Sequence, residues 1–537
     1  MRCIQISPTS DVRLPSHLVD CTDPTCPRLV STKGGYGRYL ALSYVWGEAQ
    51  PHQTTTSNAS AYSAGIEASS LPQTIRDAIY VTRTLGFQYL WADSLCIIQD
   101  SDEDKLHEIG RMHLIYRYAY FTIIAASAER VSDGFLQSRR ANHDIALPFL
   151  CPTRPPASGD SVEDTPQVGE VRATSLDITD YGTVMSGGDS AGEPIHKRGW
   201  CLQELYMSPR ALIFTSDTLR FRCQHITQNV GNSFYHPTSA ELRLPDVLFC
   251  PDASPPVKHG SKDWWAIHRA WIDIVHQYTR RTIGQASDKL VACGALAEAF
   301  DRVLGSEYLA GLWRDTLLQD LLWVRMEDDR LQLKVGDSRP ANYRAPSWSW
   351  AAVEGAVRIR TDPELVDVQA VAEAVRCGVT LKDQELPFGE VTGGILVLRA
   401  ALIQPECAIH FGSSRDEVRI SSTRLAQRWG PNHDRLAYEG NTILSGGRLP
   451  GWCTADHTSD RWIGNDTRAR WLVPLLQHNF LSDVHGLILA LADPDVPSCA
   501  ESKKVYRRIG PFRADADSWD ALWQAGGPLP LVEIEIV

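Results

Sequence analysis

The feature that most constrains the fold is the alternation of strand-like and helix-like segments between residues 39 and 126. Residues 39–47 and 87–93 are short β-prone runs, and residues 120–126 form an apolar run without alternation, which is typical of a strand covered on both faces. Stretches of helical periodicity separate these three segments. Strands that alternate with helices predict an α/β fold with a mainly parallel sheet flanked by helices.

The same patterns predict the domain organisation of the chain. An α/β domain is expected at residues 39–224, after an N-terminal extension over residues 1–38. Within the domain, residues 142–197 are rich in Pro, Gly, Ser, Asp and Thr, and this composition predicts an insertion or lid loop. Downstream, we expect a helical region at 257–345 and a β-rich region at 346–537.

Composition within the downstream regions indicates a large aromatic core. Of the 16 tryptophans in the chain, 13 lie after residue 224. Packing in a hydrophobic core explains this concentration more simply than a ligand cage does. The helical pattern also continues through residues 308–323, so we expect helix there.

Charge and composition exclude several classes of function. The chain carries 53 Lys and Arg against 65 Asp and Glu, a net charge of −12, which argues against nucleic-acid binding. No apolar run reaches the ~18 residues that cross a bilayer, and the first residues lack the apolar core of a secretory signal, so a cytoplasmic protein without a membrane span is expected. The 13 cysteines include no CxxC pair, and no metal site is predicted.

Three blocks of the α/β domain carry a family resemblance: ALSYVWG at 41–47, LWADSLCIIQ at 90–99 and RGWCLQE at 198–204. In this order they resemble the fungal heterokaryon-incompatibility (HET) domain. The resemblance implies a fungal source and a part in non-self recognition that ends in cell death. Segments that look like companions of this domain in longer family members follow at 308–313, 345–350 and 506–510.

The order of elements carries a second, weaker resemblance. A strand ending in Ser-Tyr, a helix, a strand ending in Asp, another helix and an apolar strand precede the sequence WCLQEL at 200–205. This order is similar to Toll/interleukin receptor (TIR) domains. In enzymatic TIR domains, the glutamate of a Trp-Cys-x-x-Glu-Leu helix acts in cleaving the nicotinamide–ribose bond of NAD. The resemblance implies a catalytic role for Glu204, with NAD as a substrate and no separate cofactor required.

Two carboxylates are the candidate catalytic residues. Breaking a glycosidic bond builds an oxocarbenium-like cation that Glu204 can stabilise. Asp93 ends a predicted strand at the carboxyl edge of the sheet, where open α/β folds bind ligands. The structural alternatives are an ion pair between Glu204 and Arg198 or Arg210, and a loop-capping role for Asp93.

Five further residues are candidates for substrate binding: Ser43, Tyr44, Trp46, Arg198 and Trp200. The first three end the first predicted strand and are expected to form one wall of the crevice. Core packing is the alternative for Tyr44 and Trp46. Arg198 and Trp200 belong to the block that contains Glu204.

A thiol nucleophile is disfavoured. Cys201 follows His196 by five residues, but a cysteine with apolar neighbours in a helix usually packs as a small hydrophobe, and Cys96 is interpreted in the same way. The sequence contains no GxGxxG, Walker-type, HExxH or GxSxG motif, so a dehydrogenase, NTPase, zinc protease or serine hydrolase has no motif to support it.

Three functional hypotheses follow. The first is an effector of fungal cell death that binds or cleaves a nucleotide such as NAD. The second is a non-enzymatic interaction module in which residues 200–205 contact a protein partner or a second copy of the chain. The third is an enzyme repurposed for fungal metabolite biosynthesis, with Asp93 and Glu204 as acid and base in a cyclisation. Incubating the pure protein with NAD separates the first hypothesis from the others.

Overall fold

A computed structural model describes these residues of the chain: 11–50, 52–138, 144–151, 167–174, 193–230, 242–249, 257–326, 340, 342–360, 368–404, 420–421, 448–449, 451–453, 470–479, 483–492, 504–514 and 529–537. The chain divides into two compact units, and each is described by itself. Unit 1 comprises Met1–Lys105, Tyr118–His196 and Ser208–Arg243. Unit 2 comprises Leu106–Arg117, Lys197–Met207 and Leu244–Val537.

The main feature of unit 1 is an eight-stranded sheet with the order β12-β11-β10-β7-β5-β6-β2-β3. A separate pair, β1 and β4, and a hairpin, β8 and β9, lie outside this sheet. The described strands of unit 1 are β1 Val12–Arg13, β2 His17–Asp20, β3 Arg28–Ser31, β4 Tyr36–Gly37, β5 Tyr39–Ser43, β6 Tyr89–Trp91, β7 Phe121–Ala125, β8 Asp144–Cys151, β9 Gln167–Thr174, β10 Arg210–Phe214, β11 Leu219–Cys223 and β12 Thr227–Val230.

The centre of this sheet is parallel. β5 pairs in parallel with β6 on one side and with β7 on the other, and β7 pairs in parallel with β10. All five residues of β5 are buried, as expected for a strand covered on both faces. The three strands predicted near residues 39, 87 and 120 therefore lie side by side in the sheet.

The edges of the sheet are antiparallel, so the prediction of a mainly parallel sheet is wrong and the sheet is mixed. β2 pairs antiparallel with β6 and with β3, and β11 pairs antiparallel with β10 and β12. For β2 with β3, β10 with β11 and β11 with β12, the physical reason is connection length, because strands joined by a few residues pair antiparallel, whereas a parallel pair needs a crossover of a dozen residues or more. Residues 17–31, within the predicted N-terminal extension, supply two of the eight strands.

Helices connect the parallel strands of unit 1. Helix Gln73–Thr84 begins after Pro72, buries an apolar face and is followed by a turn at Gly86, whose φ of +81° favours glycine. Helix Asp102–Tyr118 begins with three acidic residues, where the helix dipole favours them, and contributes residues to both units. The other helical segments described here are Ala59–Ala64, the 3₁₀ turn Ala68–Ser70, Asp93–Cys96 and the 3₁₀ turn Pro194–Lys197.

The predicted insertion at 142–197 contains a regular element. β8 and β9 form an antiparallel hairpin in register from Asp144–Thr174 to Cys151–Gln167. Leu147 and Phe149 on β8 are each 48% exposed. The remainder of the predicted lid lies outside the described residues, apart from 193–197.

Unit 2 begins with helices. Helix Lys262–Tyr278 is capped by Ser261, whose hydroxyl accepts from the Trp264 amide, and helix Asp288–Leu304 ends at Gly305, which has a φ of +62°. The other described helical segments are Trp200–Met207, Leu317–Asp320 and the 3₁₀ turns Asp246–Leu248, Arg314–Thr316 and Trp350–Ala352.

The helix predicted over residues 308–323 is mostly absent. β13 (Tyr308–Leu309) and β14 (Leu312–Trp313) form a tight hairpin, followed by short helical turns. Ala310 and Gly311 between these strands have φ values of +48° and +101°, which a right-handed helix does not allow. The apolar spacing of this segment therefore reflects burial of both strands rather than a helical face.

The second large sheet is antiparallel apart from one pair. Its order is β17-β23-β24-β25-β26-β19-β18, β22 also pairs with β25, and β25 runs parallel to β26. The remaining described strands of unit 2 are β15 Val324–Arg325, β16 Val357–Arg358, β17 Val368–Ala370, β18 Glu373–Leu381, β19 Val391–Ala401, β20 Ile420–Ser421, β21 Arg448–Leu449, β22 Gly451–Cys453, β23 Arg470–His478, β24 Val484–Leu491, β25 Val505–Ala514 and β26 Leu531–Ile536.

Three distant segments of unit 2 meet around buried tryptophans. The Trp350 indole donates to the Gly311 carbonyl at 3.0 Å, and the Ser347 hydroxyl accepts from the Arg508 amide at 2.9 Å. The predicted aromatic core is therefore present, and its tryptophans less than 2% exposed are Trp264, Trp271, Trp313, Trp323, Trp348 and Trp350. Across the described parts of the chain, no helix combines the length and apolar character needed to span a membrane.

Candidate functional site

The carboxyl ends of β5 and β6 carry the predicted site residues of unit 1. The parallel pairing of these strands brings the segments after Ser43 and after Trp91 to one edge of the sheet. The strand before Asp93 is shorter than predicted, because Asp93 already begins the short helix Asp93–Cys96. Ser43 is 1% exposed, and no described residue forms a hydrogen bond with its hydroxyl.

Two hydrogen bonds join the segments after β5 and β6. The Trp46 indole Nε1 donates to Asp93 Oδ2 at 2.8 Å, and the Tyr44 hydroxyl donates to Ser94 Oγ at 2.9 Å. The Ser94 amide donates to Asp93 Oδ1 at 2.7 Å. Both oxygens of the half-buried Asp93 carboxylate are therefore held in fixed directions.

The loop after β7 reaches the same edge through Gly47. This glycine has a φ of +66°, and a Cβ there would lie 2.2 Å from the Glu129 carbonyl oxygen, so a side chain does not fit. The Val131 amide donates to the Trp46 carbonyl at 3.1 Å. The loops that follow three parallel strands therefore meet beside the Asp93 carboxylate.

Unit 2 holds the predicted residues of the third block on helix Trp200–Met207. This helix packs against helix Asp288–Leu304 and buries Glu204, which is 6% exposed. The Trp200 indole donates to Asp288 Oδ2 at 3.2 Å, and burial is the main influence that raises the pKa of Asp288. Arg198 forms a backbone bridge with Thr282.

Close packing fixes the start of this helix. A Cβ at Gly199 would lie 2.1 Å from Ile283 Cδ1, so a larger residue at this position would require the end of the Ile283 side chain to move. The Arg281 guanidinium donates to the Arg198 carbonyl at 3.2 Å. Trp200 and the Arg198 backbone thus anchor the helix that carries Glu204, while Ser43, Tyr44, Trp46 and Asp93 form a set within unit 1.

The cysteines of both blocks are buried. Cys201 is 3% exposed and Cys96 is 1% exposed, as expected for small hydrophobes in a core. Arg210, the alternative partner of Glu204, has its guanidinium 4.3 Å from the Tyr120 ring centroid in unit 1. Among the residues that the structure describes, no group of three or more His, Cys, Asp or Glu is placed to hold a metal ion.

A buried Thr-His-Asp cluster in unit 2 resembles a catalytic triad only in composition. Thr316 Oγ1 lies 3.0 Å and Asp320 Oδ2 3.1 Å from the same atom, His268 Nε2. In a relay, nucleophile and carboxylate bond to opposite ring nitrogens. The Thr316 hydroxyl also donates directly to Asp320 at 2.6 Å, so these groups satisfy one another inside the core.

Two residues at these positions were missed by sequence reasoning. Ser94 accepts a hydrogen bond from the Tyr44 hydroxyl. Its position directly after Asp93 was the feature of the sequence that could have indicated this role. Gln203 is 2% exposed on helix Trp200–Met207. A polar residue between Leu202 and Glu204 in a helix with many apolar positions was the corresponding signal.

Comparison with known protein families gives one match, in the N-terminal part of the chain. Residues 39–204 match the family model described as Heterokaryon incompatibility protein (HET). The chain therefore contains a HET domain over these residues. No curated protein and no solved structure matches it. The HET domain indicates a function related to heterokaryon incompatibility and cell death, and the matched range ends at Glu204, the last residue of the third block.

Proposed function

We propose that this HET-domain protein acts in fungal non-self recognition and cell death by cleaving the nicotinamide–ribose bond of NAD or NADP. The observation that carries the proposal is Asp93, whose two carboxylate oxygens accept from Trp46 and Ser94 at the carboxyl edge of parallel strands. Open α/β sheets bind nucleotides at such edges. A carboxylate held in this way can orient the hydroxyls of a ribose.

The sequence WCLQEL at 200–205 adds Glu204 to this proposal as a catalytic residue. As the C–N bond breaks, its electrons leave with nicotinamide, and the Glu204 carboxylate stabilises the positive charge that builds on the ribose. Water then adds to the anomeric carbon and loses a proton, which gives ADP-ribose from NAD. Burial of Glu204 strengthens this electrostatic effect, because the effective dielectric constant is lower than in water.

The other predicted residues have supporting roles. Ser43 is the candidate for direct substrate contact, because its buried hydroxyl bonds to no described residue. Tyr44 and Trp46 position the residues that follow β6. Arg198 and Trp200 hold the helix that carries the second carboxylate.

The test is the Glu204→Gln variant, which is nearly isosteric and removes the negative charge. Loss of one preorganised electrostatic contact is expected to slow nicotinamide release by ~10²–10³-fold, with the melting temperature unchanged. Chromatography of NAD reactions and thermal unfolding of the same preparation measure both quantities. The exposed Glu103 provides the matched control, and Glu103→Gln should retain full activity.

The alternatives give different results in the same experiment. A purely structural Glu204 predicts a lowered melting temperature and residual activity in proportion to the folded protein. An interaction module or a biosynthetic cyclase predicts no nicotinamide release from the wild-type protein. Full NAD turnover by a stable Glu204→Gln variant would falsify the catalytic role.

A further inference from the structure

Gln203 is a buried amide whose hydrogen bonds are not satisfied by the residues that the structure describes. Its side chain lies on helix Trp200–Met207 and is 2% exposed. No described residue donates to its Oε1. Among the described residues, Gln203 Nε2 donates a weak hydrogen bond to the Met112 sulfur, at 4.0 Å.

A buried amide in this state is costly. A polar group that is removed from water without a partner loses the free energy of its hydration, and natural proteins contain few such groups. The second glutamine near this helix behaves differently, because Gln277 Oε1 accepts from the Tyr206 hydroxyl at 2.5 Å. Gln203 shares helix Trp200–Met207 with the candidate catalytic Glu204, and its unmet hydrogen bonds make it a candidate contact for a ligand that binds at this helix.

We propose that Gln203 recognises the carboxamide of the nicotinamide ring and thereby determines substrate specificity. Oε1 accepts from the carboxamide NH₂, and Nε2 donates to the carboxamide oxygen. Two primary amides are complementary in both directions, whereas a carboxylate in place of the carboxamide has no proton to donate. The proposal rests on the proposed function, because it assigns a part of that substrate to a residue beside Glu204.

The experiment compares two ligands on the wild-type protein. NAD and nicotinic acid adenine dinucleotide differ at the carboxamide, which is a carboxylate in the second compound. A site built to bond an N–H group rejects an analogue that lacks it, so binding measured by calorimetry should be roughly 10- to 100-fold weaker for the acid. Because this comparison needs no variant, it does not depend on the folding of a mutant.

A variant then connects the discrimination to Gln203. Gln203→Met keeps the length of the side chain and removes both polar atoms, so it should bind the two ligands equally well, with a melting temperature equal to or above that of the wild type. The control Gln277→Met removes a hydrogen bond that the protein does make. It should lower the melting temperature by about 2–4 °C and retain the discrimination.

The outcomes separate this inference from the proposed function. Discrimination between the ligands without nicotinamide release supports the role of Gln203 and contradicts NAD cleavage. Turnover of NAD with equal affinity for both ligands, or discrimination that persists in Gln203→Met, overturns the inference and leaves NAD cleavage standing. Absence of binding to either ligand overturns it as well.

Discussion

The two large sheets of this protein place their polar side chains differently. In the sheet of unit 1, Ser43 and Asp93 stand at or just beyond the carboxyl ends of central parallel strands. In the sheet of unit 2, Arg508 lies within β25 and is 0% exposed. Its guanidinium donates to the carbonyls of Leu321 and Trp323 at 2.8 and 2.6 Å and lies 3.4 Å from the centroid of a Trp323 ring.

The two kinds of placement have different consequences, one for the stability of the fold and the other for ligand binding. A polar side chain that bonds to backbone carbonyls inside a sheet satisfies groups that would otherwise be buried without a partner, so its loss weakens the fold. Polar side chains at the carboxyl ends of parallel strands lie instead at the edge where open α/β folds bind ligands. We therefore expect substitutions in the unit 2 sheet to change unfolding free energies, and substitutions at the unit 1 edge to change activity.

The largest effect is expected for Arg508→Met. This variant leaves two buried carbonyls without their donor and removes the stacking on Trp323, so the free energy of unfolding should fall by about 3–5 kcal/mol. Chemical denaturation measures the change. The exposed Arg376 in β18 of the same sheet is the control, and Arg376→Met should lie within about 0.5 kcal/mol of the wild type. An equally small effect for Arg508 would remove the proposed contrast between the sheets.

A pH effect of similar size is expected from His485 on β24. Burial first, and then the charges of Arg360 and Arg513, lower its pKa from 6.5 to about 4. Between these pH values the unfolded chain binds more protons than the folded chain. The stability that His485 contributes is therefore complete above pH 6.5 and is lost as the pH falls towards 4, by up to about 3 kcal/mol.

The His485→Gln variant should show a shallower loss of unfolding free energy between pH 6.5 and 4 than the wild type. Denaturation curves across this range measure the slope. His225 is exposed, and His225→Gln should follow the wild-type curve. Identical slopes for all three proteins would contradict the burial argument.

A smaller effect, on activity, is expected at the unit 1 edge. Asp93→Asn removes the charge and keeps one oxygen, so the side chain can still accept from the Trp46 indole but no longer from the Ser94 amide. Nicotinamide release should therefore fall at least ~10-fold, while the unfolding free energy should fall by no more than about 2 kcal/mol. Parallel kinetic and denaturation measurements provide the check. A large loss of stability with proportionate loss of activity would show the loop-capping role instead.

The smallest effect is expected for Tyr44→Phe. The variant loses one buried hydrogen bond to Ser94 and retains the ring, so it should cost about 1 kcal/mol of unfolding free energy and affect turnover less than Asp93→Asn does. Thermal unfolding measures the loss. A larger effect on turnover than on stability would place the Tyr44 hydroxyl in the binding site.

The sequence predicted the parts of the fold that local patterns determine. The parallel centre of the unit 1 sheet follows from apolar runs separated by helical periodicity, as in β7. The antiparallel edge formed by β2 and β3 was missed, because His17–Asp20 is too short for a periodic signal. The hairpin at 308–313 was missed because the positive φ of Ala310 is set by tertiary contacts.

The candidate site was predictable in its residues and not in its contacts. The motif blocks indicated Asp93 and Trp46, but the hydrogen bond between them joins residues 47 positions apart. The sequence marks Gln203 as a polar position in a largely apolar helix, but whether its hydrogen bonds are satisfied depends on what surrounds it after folding.

The position of β26 in unit 2 has a kinetic consequence. This strand, Leu531–Ile536, lies between β19 and β25, and Val537 bonds to Ser347, 190 residues earlier. Contacts between residues so far apart in sequence form slowly, because a long loop must close first. Until β26 is in place, two strand edges with unpaired amides and carbonyls are exposed, and intermediates of this kind tend to aggregate. Placement of β26 is therefore a step of folding at which aggregation is expected to compete with assembly of the sheet.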